Sequence, residues 1–379
     1  MQIIIGGDVV PTASNRDAFS AGDAVTLLGE ELTRLLKAAD YRIVNLEAPL
    51  ADRKAPIKKC GPALSAPESS AEGLRAMGID LVTLANNHIL DQGSQGMAST
   101  VRALESRGIG WLGVGENARE AAKPYILSRE GKRVGIYACA ESEFSIATED
   151  TPGANPFDPL WSLDHIRQLK ESCDYVIVLY HGGKERYRYP SPGLRKVCRR
   201  IADKGADLVL CQHSHCVGCQ EAWNGSTIVY GQGNFLFDRH TQDVYQTGIL
   251  VRLKLFEGPA EIDYIPVARV APHVRLAGEG NGILEGFRER SRRILEPGFV
   301  EAEFTRFARE NVIEYYGRSL GRRRYLLYRL ANLMLRDRLR YKCYTEKDAL
   351  ALINTLECEP HRELYLAALG SQLRGNAPE

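Results

Sequence analysis

Short apolar runs that end in polar residues are the feature that most constrains the fold of this chain of 379 residues. From residue 1 to about 271 these runs alternate with longer segments of helical periodicity; examples are IIIGGD, YRIVNLE, DLVTLANNH, YVIVLYHGG and DLVLCQHSH. Buried strands that lead into polar loops give this pattern, because α/β proteins carry functional groups on loops at strand ends. The sequence therefore predicts an α/β fold with a functional site at its strand ends.

Helices and further strands are predicted between and after these runs. Apolar residues recur at helical spacing over 24–39 and 96–107, and another helix is predicted from residue 164. The segments RVGIYAC, STIVYGQGNFLFD and TGILVRLKLF favour strands joined by turns, so we expect mixed rather than purely parallel pairing, with room for two sheets. Beyond residue 275 a Gly-rich segment precedes an Arg-rich helical region. We predict two parts, 1–274 and 275–379.

Charge, cysteine usage and hydropathy narrow the class of protein. The 49 basic and 48 acidic residues nearly cancel, which disfavours a dedicated nucleic-acid binder. The first residues, MQIIIGGDVV, lack the basic region and cleavage site of a signal peptide, and no apolar run reaches the roughly 18 residues of a spanning helix. Nine scattered cysteines favour reduced thiols over a disulfide framework. We expect a cytoplasmic protein that does not bind nucleic acid.

Side chains of the kinds that bind metals follow several of the strand-like runs. They are Asp8, Glu47, Asn87, His181, His213 and His215. Carboxylate and amide oxygens together with imidazole nitrogens suit Mn²⁺, Fe²⁺ or Zn²⁺, whereas oxygen ligands alone would indicate Mg²⁺ or Ca²⁺. In an extended segment the alternate residues His213 and His215 point the same way, so both could serve one metal cluster. The clustering predicts a centre for one or two divalent ions.

A set of motifs gives the chain a family resemblance over about residues 1–270. The motifs are GGDVV, NLEAPL, LANNHILDQG, YHGGKE, QHSH and YGQGNFLFD. Their order and spacing resemble the CapA family of poly-γ-glutamate capsule biosynthesis proteins, itself similar to the calcineurin-like metallophosphoesterases. This resemblance implies a four-layer α/β/β/α sandwich with a one- or two-metal site at the loops between its central sheets, here followed by a C-terminal helical extension.

The resemblance also implies roles for the metal-binding residues. Asp8 resembles the first metal-binding aspartate, and Glu47 stands where a bridging carboxylate would lie. His213 would share one metal position with Asn87 and His181, while His215 would reach toward the other.

Further residues match catalytic or supporting positions of the family. His88 resembles the histidine that acts as general acid or stabilises the transition state, and Asp91 could orient it by hydrogen bonding. Asn45, Glu185 and Asn234 match positions in substrate contact or ligand support. From its chemistry alone, Arg188 could pair with an anionic polymer or sugar, although a role in loop packing is equally consistent with the sequence.

Two positions depart from the metallophosphoesterase pattern. The first motif usually reads Asp-x-His, but its third residue here is Val10, so one metal would lose an imidazole. The last motif usually has Gly before His-x-His, and this chain has Gln212, which adds bulk and a polar group. We expect a weakened or empty second metal site and a reshaped pocket.

Two other motifs have ordinary structural interpretations. Cys216 and Cys219 form a CxxC without a second pair, so we expect thiols rather than a zinc site. The segment 318–342 holds nine basic residues and one acidic residue interleaved with leucines. It predicts a packed amphipathic helix with a solvated arginine face, or else a helix that rests on an anionic membrane or polymer.

Two classes of function follow from this sequence. The first is a metal-dependent hydrolase that acts on a phosphoester, or on an amide of a capsule or cell-envelope polymer such as poly-γ-glutamate. The second is a non-catalytic metal- or polymer-binding accessory protein of capsule assembly. The expected partners are an anionic polymer or a phosphorylated substrate, together with the membrane periphery or capsule-synthesis proteins.

Overall fold

The structure, a computed structural model, describes residues 1–238, 242–270, 272–319, 322–335 and 346–373. The chain divides into two compact units, Met1–Phe304 and Thr305–Glu379. The limit at residue 274 stays a prediction of where the family-like region ends. In the structure, the first compact unit extends beyond residue 274, to Phe304.

The first unit contains all the strands of the described chain. In chain order they are β1 (Gln2–Val9), β2 (Tyr41–Leu46), β3 (Leu81–Thr83), β4 (Gly110–Leu112), β5 (Val114–Gly115), β6 (Tyr125–Arg129), β7 (Lys132–Ala140), β8 (Gly153–Ala154), β9 (Tyr175–His181), β10 (Leu208–Gln212), β11 (Gln220–Trp223), β12 (Ser226–Val229), β13 (Asn234–Leu236), β14 (Thr247–Lys254), β15 (Glu261–Val270) and β16 (His273–Leu276).

Helices connect the strands and follow them. In chain order they are α1 (Arg16–Ala21), α2 (Ala24–Lys37), α3 (Ala71–Ala76), α4 (Gly93–Glu105), α5 (Ala118–Ala121), α6 (Ser162–Ser172), α7 (Pro192–Asp203), α8 (Ile283–Arg293), α9 (Phe299–Ser319), α10 (Arg322–Met334), α11 (Glu346–Glu357) and α12 (Glu359–Leu373). The helices predicted over 24–39, over 96–107 and from 164 correspond to α2, α4 and α6.

Two mixed sheets form the centre of the first unit. In the described chain one sheet has eight strands in the order β16-β15-β14-β1-β2-β3-β4, with β13 also paired to β1. The other has six strands in the order β11-β12-β10-β9-β7-β6. Strands β1 to β4 are parallel, and so are β7, β9, β10 and β12, whereas the outer strands β14 to β16, β6 and β11 pair antiparallel. The prediction of mixed pairing is confirmed.

Alternating apolar residues on the central strands build the layers. Ile3 and Ile5 of β1 point to the core between the two sheets, where they join Ile177 of β9 and Leu210 of β10. Ile4 points the other way, into the core that the first sheet shares with helices α2 and α4. A third core lies between the opposite face of the second sheet and helices α6 and α7. The order helix, sheet, sheet, helix confirms the predicted four-layer α/β/β/α sandwich.

The second unit consists of helices with exposed apolar side chains. On α10, Leu327 and Leu333 are 69% and 75% exposed. This helix covers part of the predicted basic segment 318–342; residues 320–321 and 336–342 of that segment lie outside the described chain. None of the described helices is long and apolar enough to cross a membrane.

The backbone of β1 approaches a neighbouring loop closely at Gly7, one residue before Asp8. A β-carbon at Gly7 would lie 2.2 Å from the carbonyl oxygen of Gly233, inside the closest approach of two unbonded atoms. We therefore expect Gly7→Ala to lower the free energy of unfolding by about 3 kcal/mol. The matched control is Gly278→Ala, since Gly278 is exposed and no atom lies within 4 Å of its added carbon. Denaturant unfolding curves measure both, and equal stability of Gly7→Ala and the parent would contradict this packing.

Candidate metal centre

The carboxyl ends of parallel strands from both sheets bring the predicted ligand residues together. Asp8 lies at the end of β1, in register with Asn45 of β2 and Asn234 of β13. His181 ends β9, in register with Gln212 at the end of β10. Because the two sheets pack face to face, these strand ends meet at one end of the sandwich.

The first group of ligand atoms surrounds the Nε2 atom of His181. This nitrogen lies 3.1 Å from Asn87 Oδ1, 3.2 Å from His213 Nδ1 and 3.4 Å from Glu47 Oε1. A divalent ion with bonds of about 2.0 to 2.2 Å separates neighbouring ligands by roughly 3.0 to 3.6 Å, depending on its geometry. The spacing of these atoms therefore fits the ligand shell of one ion.

A second group shares Glu47 with the first. Asp8, Glu47 and His215 each offer one ligand atom within 4.8 Å of the others. His215 Nδ1 lies 3.2 Å from Asp8 Oδ2, and His215 Nε2 lies 3.8 Å from Glu47 Oε1. Glu47 thus stands between two positions that could each hold an ion.

The carboxylate of Glu47 lacks the hydrogen bonds that its burial demands. Glu47 is fully buried, and neither of its oxygens has a hydrogen-bond partner among the described residues. A buried carboxylate without donors carries a large desolvation cost that a bound cation would remove. Burial, followed by the charge of Asp8, raises the pKa of Glu47 to about 8.

The remaining titratable groups of the centre have pKa values shifted in opposite directions. Burial lowers the pKa of His181 to about 4, so this imidazole is neutral and ready to bind metal at neutral pH. Burial also disfavours charge on His215, but the carboxylates of Glu47 and Asp8 outweigh it and raise its pKa to about 10. For Asp8 burial acts upward, and the hydrogen bond and charge of His215 lower its pKa overall.

The loop that carries His213 and His215 is not extended, so the prediction that both point the same way along a strand is wrong. Strand β10 ends at Gln212, and the two histidines have φ angles of 85° and 55°. Such left-handed backbone is unfavourable for residues other than glycine and concentrates at functional sites. Their convergence comes from this curled loop rather than from strand alternation.

Amide side chains behind the ligands hold them in place. Asn45 Nδ2 donates to Asp8 Oδ1 at 2.7 Å and lies 3.3 Å from His181 Nδ1. Asn234 Oδ1 lies 2.9 Å from His215 Nδ1. The contacts to Asp8 and His215 fix the carboxylate and ring orientations, as supporting residues of metal sites do.

Two supporting residues were not identified from the sequence. Asn86 donates to Asn45 Oδ1 at 3.1 Å and accepts from the amide of His88, so it connects the end of β2 to the loop after β3. Glu143 accepts from Asn87 Nδ2 at 2.8 Å, which turns the Asn87 oxygen toward His181. Asn86 lies inside the LANNHILDQG motif, whereas Glu143 lies outside all of the family motifs.

Beside the ligands, His88 and Asp91 form the predicted hydrogen-bonded pair. His88 Nδ1 lies 2.6 Å from Asp91 Oδ2, and the His88 side chain is 11% exposed. Lys59, for which no sequence motif predicts a role, pairs with the second oxygen of Asp91.

Glu185 and Arg188 follow β9 on one loop but differ in their surroundings. Burial acts to raise the pKa of half-buried Glu185, but the charges of His213 and His215 lower it overall. Arg188 donates to the carbonyl of Val217 at 3.2 Å. Its guanidinium therefore supports the backbone that follows the histidine loop, and substrate contact stays a prediction.

The two departures from the metallophosphoesterase pattern lie in different surroundings. Val10 is buried in an apolar cluster with Ala48, Leu64 and Phe237. Gln212 is buried and its amide nitrogen donates to the carbonyl of Gly6 at 3.2 Å, so it ties the second sheet to the first. Its Oε1 atom is also buried and has no hydrogen-bond partner among the described residues.

The described cysteines near the histidine loop are free thiols. Cys216 and Cys219 are both buried and form no disulfide in the described chain. The described chain has two groups of residues that could hold a metal ion. Both contain Glu47, and neither contains a cysteine.

Relatives of known name match the first part of the chain. The "Capsule biosynthesis protein CapA" of Bacillus anthracis is 28% identical over 241 residues, which cover 61% of this chain and 59% of that protein. The "PGA biosynthesis protein CapA" of Bacillus subtilis strain 168 is 30% identical over 211 residues, which cover 54% of this chain and 55% of that protein. The chain therefore matches less than two thirds of the length of these curated relatives.

A solved structure and a family model also match. A structure described as a novel phosphatase from Mycoplasma pneumoniae is 13% identical, with a TM-score of 0.44 over 71% of this chain and 93% of its own. The model of the family described as "Bacterial capsule synthesis protein PGA_cap" matches residues 2–239, more than half of the sequence. The chain therefore belongs to the PGA_cap family of bacterial capsule synthesis proteins.

Proposed function

We propose that this protein is a metal-dependent hydrolase whose centre holds two divalent ions on either side of Glu47. The observation that carries the proposal is the buried Glu47 carboxylate, which has no described hydrogen-bond partner and belongs to both groups of ligand atoms. Mixed oxygen and nitrogen ligands favour Mn²⁺, Fe²⁺ or Zn²⁺. His181, His213 and Asn87 would complete one position, and Asp8 and His215 the other, which would be the weaker of the two because Val10 supplies no imidazole.

The bound ions would lower the pKa of a coordinated water and polarise the bond that is broken. Proton transfer to the leaving group would fall to residues of the chain. Asp91 accepts from His88 Nδ1, which leaves Nε2 as the ring nitrogen that can hold a proton for the leaving group. His88 is partly exposed, unlike the buried ligands, and can therefore meet a substrate.

A cavity beside the centre offers room for that substrate. It has a volume of about 550 Å³ and is lined by Val10, Thr12, Ser14, Leu64 and Phe237, among others. The ring of Phe237 packs against His215 with centroids 5.4 Å apart, so the cavity borders the second metal position. We propose that the part of the substrate next to the reacting bond lies here.

The substrate class that we propose is a phosphoester, or an amide of a capsule or cell-envelope polymer such as poly-γ-glutamate. Two bridged ions suit a phosphoester, because they can stabilise both the attacking and the leaving oxygen. The names of the Bacillus relatives, which are capsule and PGA biosynthesis proteins, support a polymer of that kind.

A second candidate function is a non-catalytic accessory protein of capsule assembly. Val10 favours it, because an apolar cluster stands where the metallophosphoesterase motif usually supplies an imidazole. The exposed leucines on α10 would then contact a polymer-synthesis partner or the membrane periphery. Measurement of metal content and turnover separates the two candidates.

Metal stoichiometry tests the shared role of Glu47. We expect the parent to bind about two ions, His181→Ala and His215→Ala about one each, and Glu47→Gln none, since Glu47 contributes to both positions. Elemental mass spectrometry after reconstitution with Mn²⁺ or Zn²⁺ measures the content, with His361→Ala on α12 as the control. A parent that binds no ion would exclude the hydrolase and leave the accessory function.

His88 is expected to act in turnover without holding the ions. His88→Ala should therefore keep the metal content of the parent and lower kcat on bis(p-nitrophenyl) phosphate by about 10² to 10⁴-fold. Steady-state kinetics of the metal-loaded proteins measures this, with His165→Ala on α6 as a control outside the centre. Equal rates for His88→Ala and the parent would refute the role given to His88.

Metal binding should release protons because Glu47 and His215 have raised pKa values in the metal-free chain. His215 owes much of its raised pKa to the charged form of Glu47, so at pH 7 the two groups together hold at least one proton, whereas His181 is already neutral. We expect at least one proton to leave per ion bound at the Asp8 position, and the apparent affinity to rise from pH 6 to pH 8. Calorimetric titration in buffers of different ionisation enthalpy counts these protons, and an affinity independent of pH would contradict the assignment.

A further inference from the structure

We infer that Lys59 is a positioning residue for His88, acting through Asp91, and that it connects His88 to the wall of the neighbouring cavity. The inference rests on the proposed function, because it assigns His88 a part in turnover. Lys59 belongs to the segment 51–65, which lies outside the family motifs.

The first observation is how the two oxygens of Asp91 are used. Oδ1 is paired with Lys59 Nζ, and Oδ2 accepts from His88 Nδ1 at 2.6 Å. The ammonium also lies 3.3 Å from His88 Nδ1 and 3.5 Å from the carbonyl oxygen of Asn87. Lys59 therefore touches both members of the pair and the backbone that carries His88.

The second observation is burial. The side chain of Lys59 is 3% exposed and that of Asp91 is fully buried, although most of the segment around Lys59 is exposed. The ring of Phe144 covers the ammonium at 5.5 Å. A buried ammonium is costly unless it is paired, so an inward-pointing lysine on an exposed segment needs a specific reason.

Lys59 supplies two effects that Asp91 and His88 lack alone. Its charge balances the buried carboxylate, and its hold on Oδ1 fixes the carboxylate plane so that Oδ2 faces the imidazole. Without Lys59, Asp91 could rotate and the His88 ring could turn with it. Supporting contacts of this kind commonly change activity by about 10 to 100-fold.

Backbone contacts extend the link from Lys59 to the cavity. The amides of Ala55 and Ile57 donate to Gln92 Oε1 and to the Asp91 carbonyl, at 2.7 and 3.1 Å. The amide of Leu64 donates to Asp91 Oδ2 at 2.6 Å, and Leu64 lines the cavity. Asp91 Oδ2 thus accepts from both the Leu64 amide in the cavity wall and His88 Nδ1, while Oδ1 is paired with Lys59.

The test compares Lys59→Met with Lys58→Met in the full-length, zinc-loaded protein. Both substitutions remove one ammonium from neighbouring positions, but Lys58 is exposed. Long-range ¹H–¹⁵N spectra of ¹⁵N-histidine-labelled protein report the state of the His88 ring, which His88→Ala assigns. Kinetics on bis(p-nitrophenyl) phosphate and zinc content are measured alongside.

We expect Lys59→Met to shift the His88 signals and lower kcat by about 10 to 100-fold at unchanged zinc content. Lys58→Met should change neither, and Lys59→Arg should restore part of both. If Lys59→Met does not fold, Lys59→Gln replaces it and is judged by the same signals.

Unchanged His88 signals in the Lys59 variant would overturn the inference. So would a rise in KM with an unchanged kcat and spectrum, because Lys59 would then be a direct substrate contact. A zinc-loaded parent that turns over neither bis(p-nitrophenyl) phosphate nor a γ-glutamyl amide would refute the proposed function, yet the spectra would still show whether Lys59 positions His88.

Discussion

The buried carboxylate of Glu47 is the interaction on which this end of the molecule depends. It is fully buried among three imidazoles and a second carboxylate, and among the described residues nothing donates a hydrogen bond to it. A protein interior does not tolerate such a group cheaply, because the charge loses its hydration without gaining donors. Either a proton or a cation must compensate, and the raised pKa of Glu47 is the response of the metal-free chain. The histidines around it make a cation the better match.

The sandwich explains how ligands far apart in sequence reach Glu47. Parallel pairing places the carboxyl ends of β1, β2 and β3 side by side in one sheet, and those of β9 and β10 in the other. Face-to-face packing of Ile3 and Ile5 against Ile177 and Leu210 sets the distance between the two rows of strand ends. A shift of one residue in β1 would turn Asp8 away from Asn45, since side chains alternate along a strand.

Much of this arrangement could be predicted from the sequence, because the physical cause is local. A strand that ends in a polar residue is visible as an apolar run, and the strands that end near Asp8, His181 and His213 were all recognised in this way. The left-handed backbone at His213 and His215 could not be foreseen, since only a small fraction of residues other than glycine adopt positive φ and the apolar run before them suggests a strand that continues. The roles of Glu143 and Lys59 could not be predicted for a related reason: their partners, Asn87 and Asp91, are distant in sequence and contact them only in the folded chain.

The departures at Val10 and Gln212 change the surroundings of the metal centre in different ways. The Gln212 amide nitrogen donates to the Gly6 carbonyl across the sheets, next to the strand end that carries Asp8, whereas its Oε1 atom is buried without a hydrogen-bond partner among the described residues. Val10 packs with Leu64 and Phe237, and all three also line the cavity beside the centre. The imidazole that the metallophosphoesterase motif would place here is thus replaced by an apolar wall of the cavity, so that in the described chain the position beside Asp8 has the imidazole of His215 but none from residue 10.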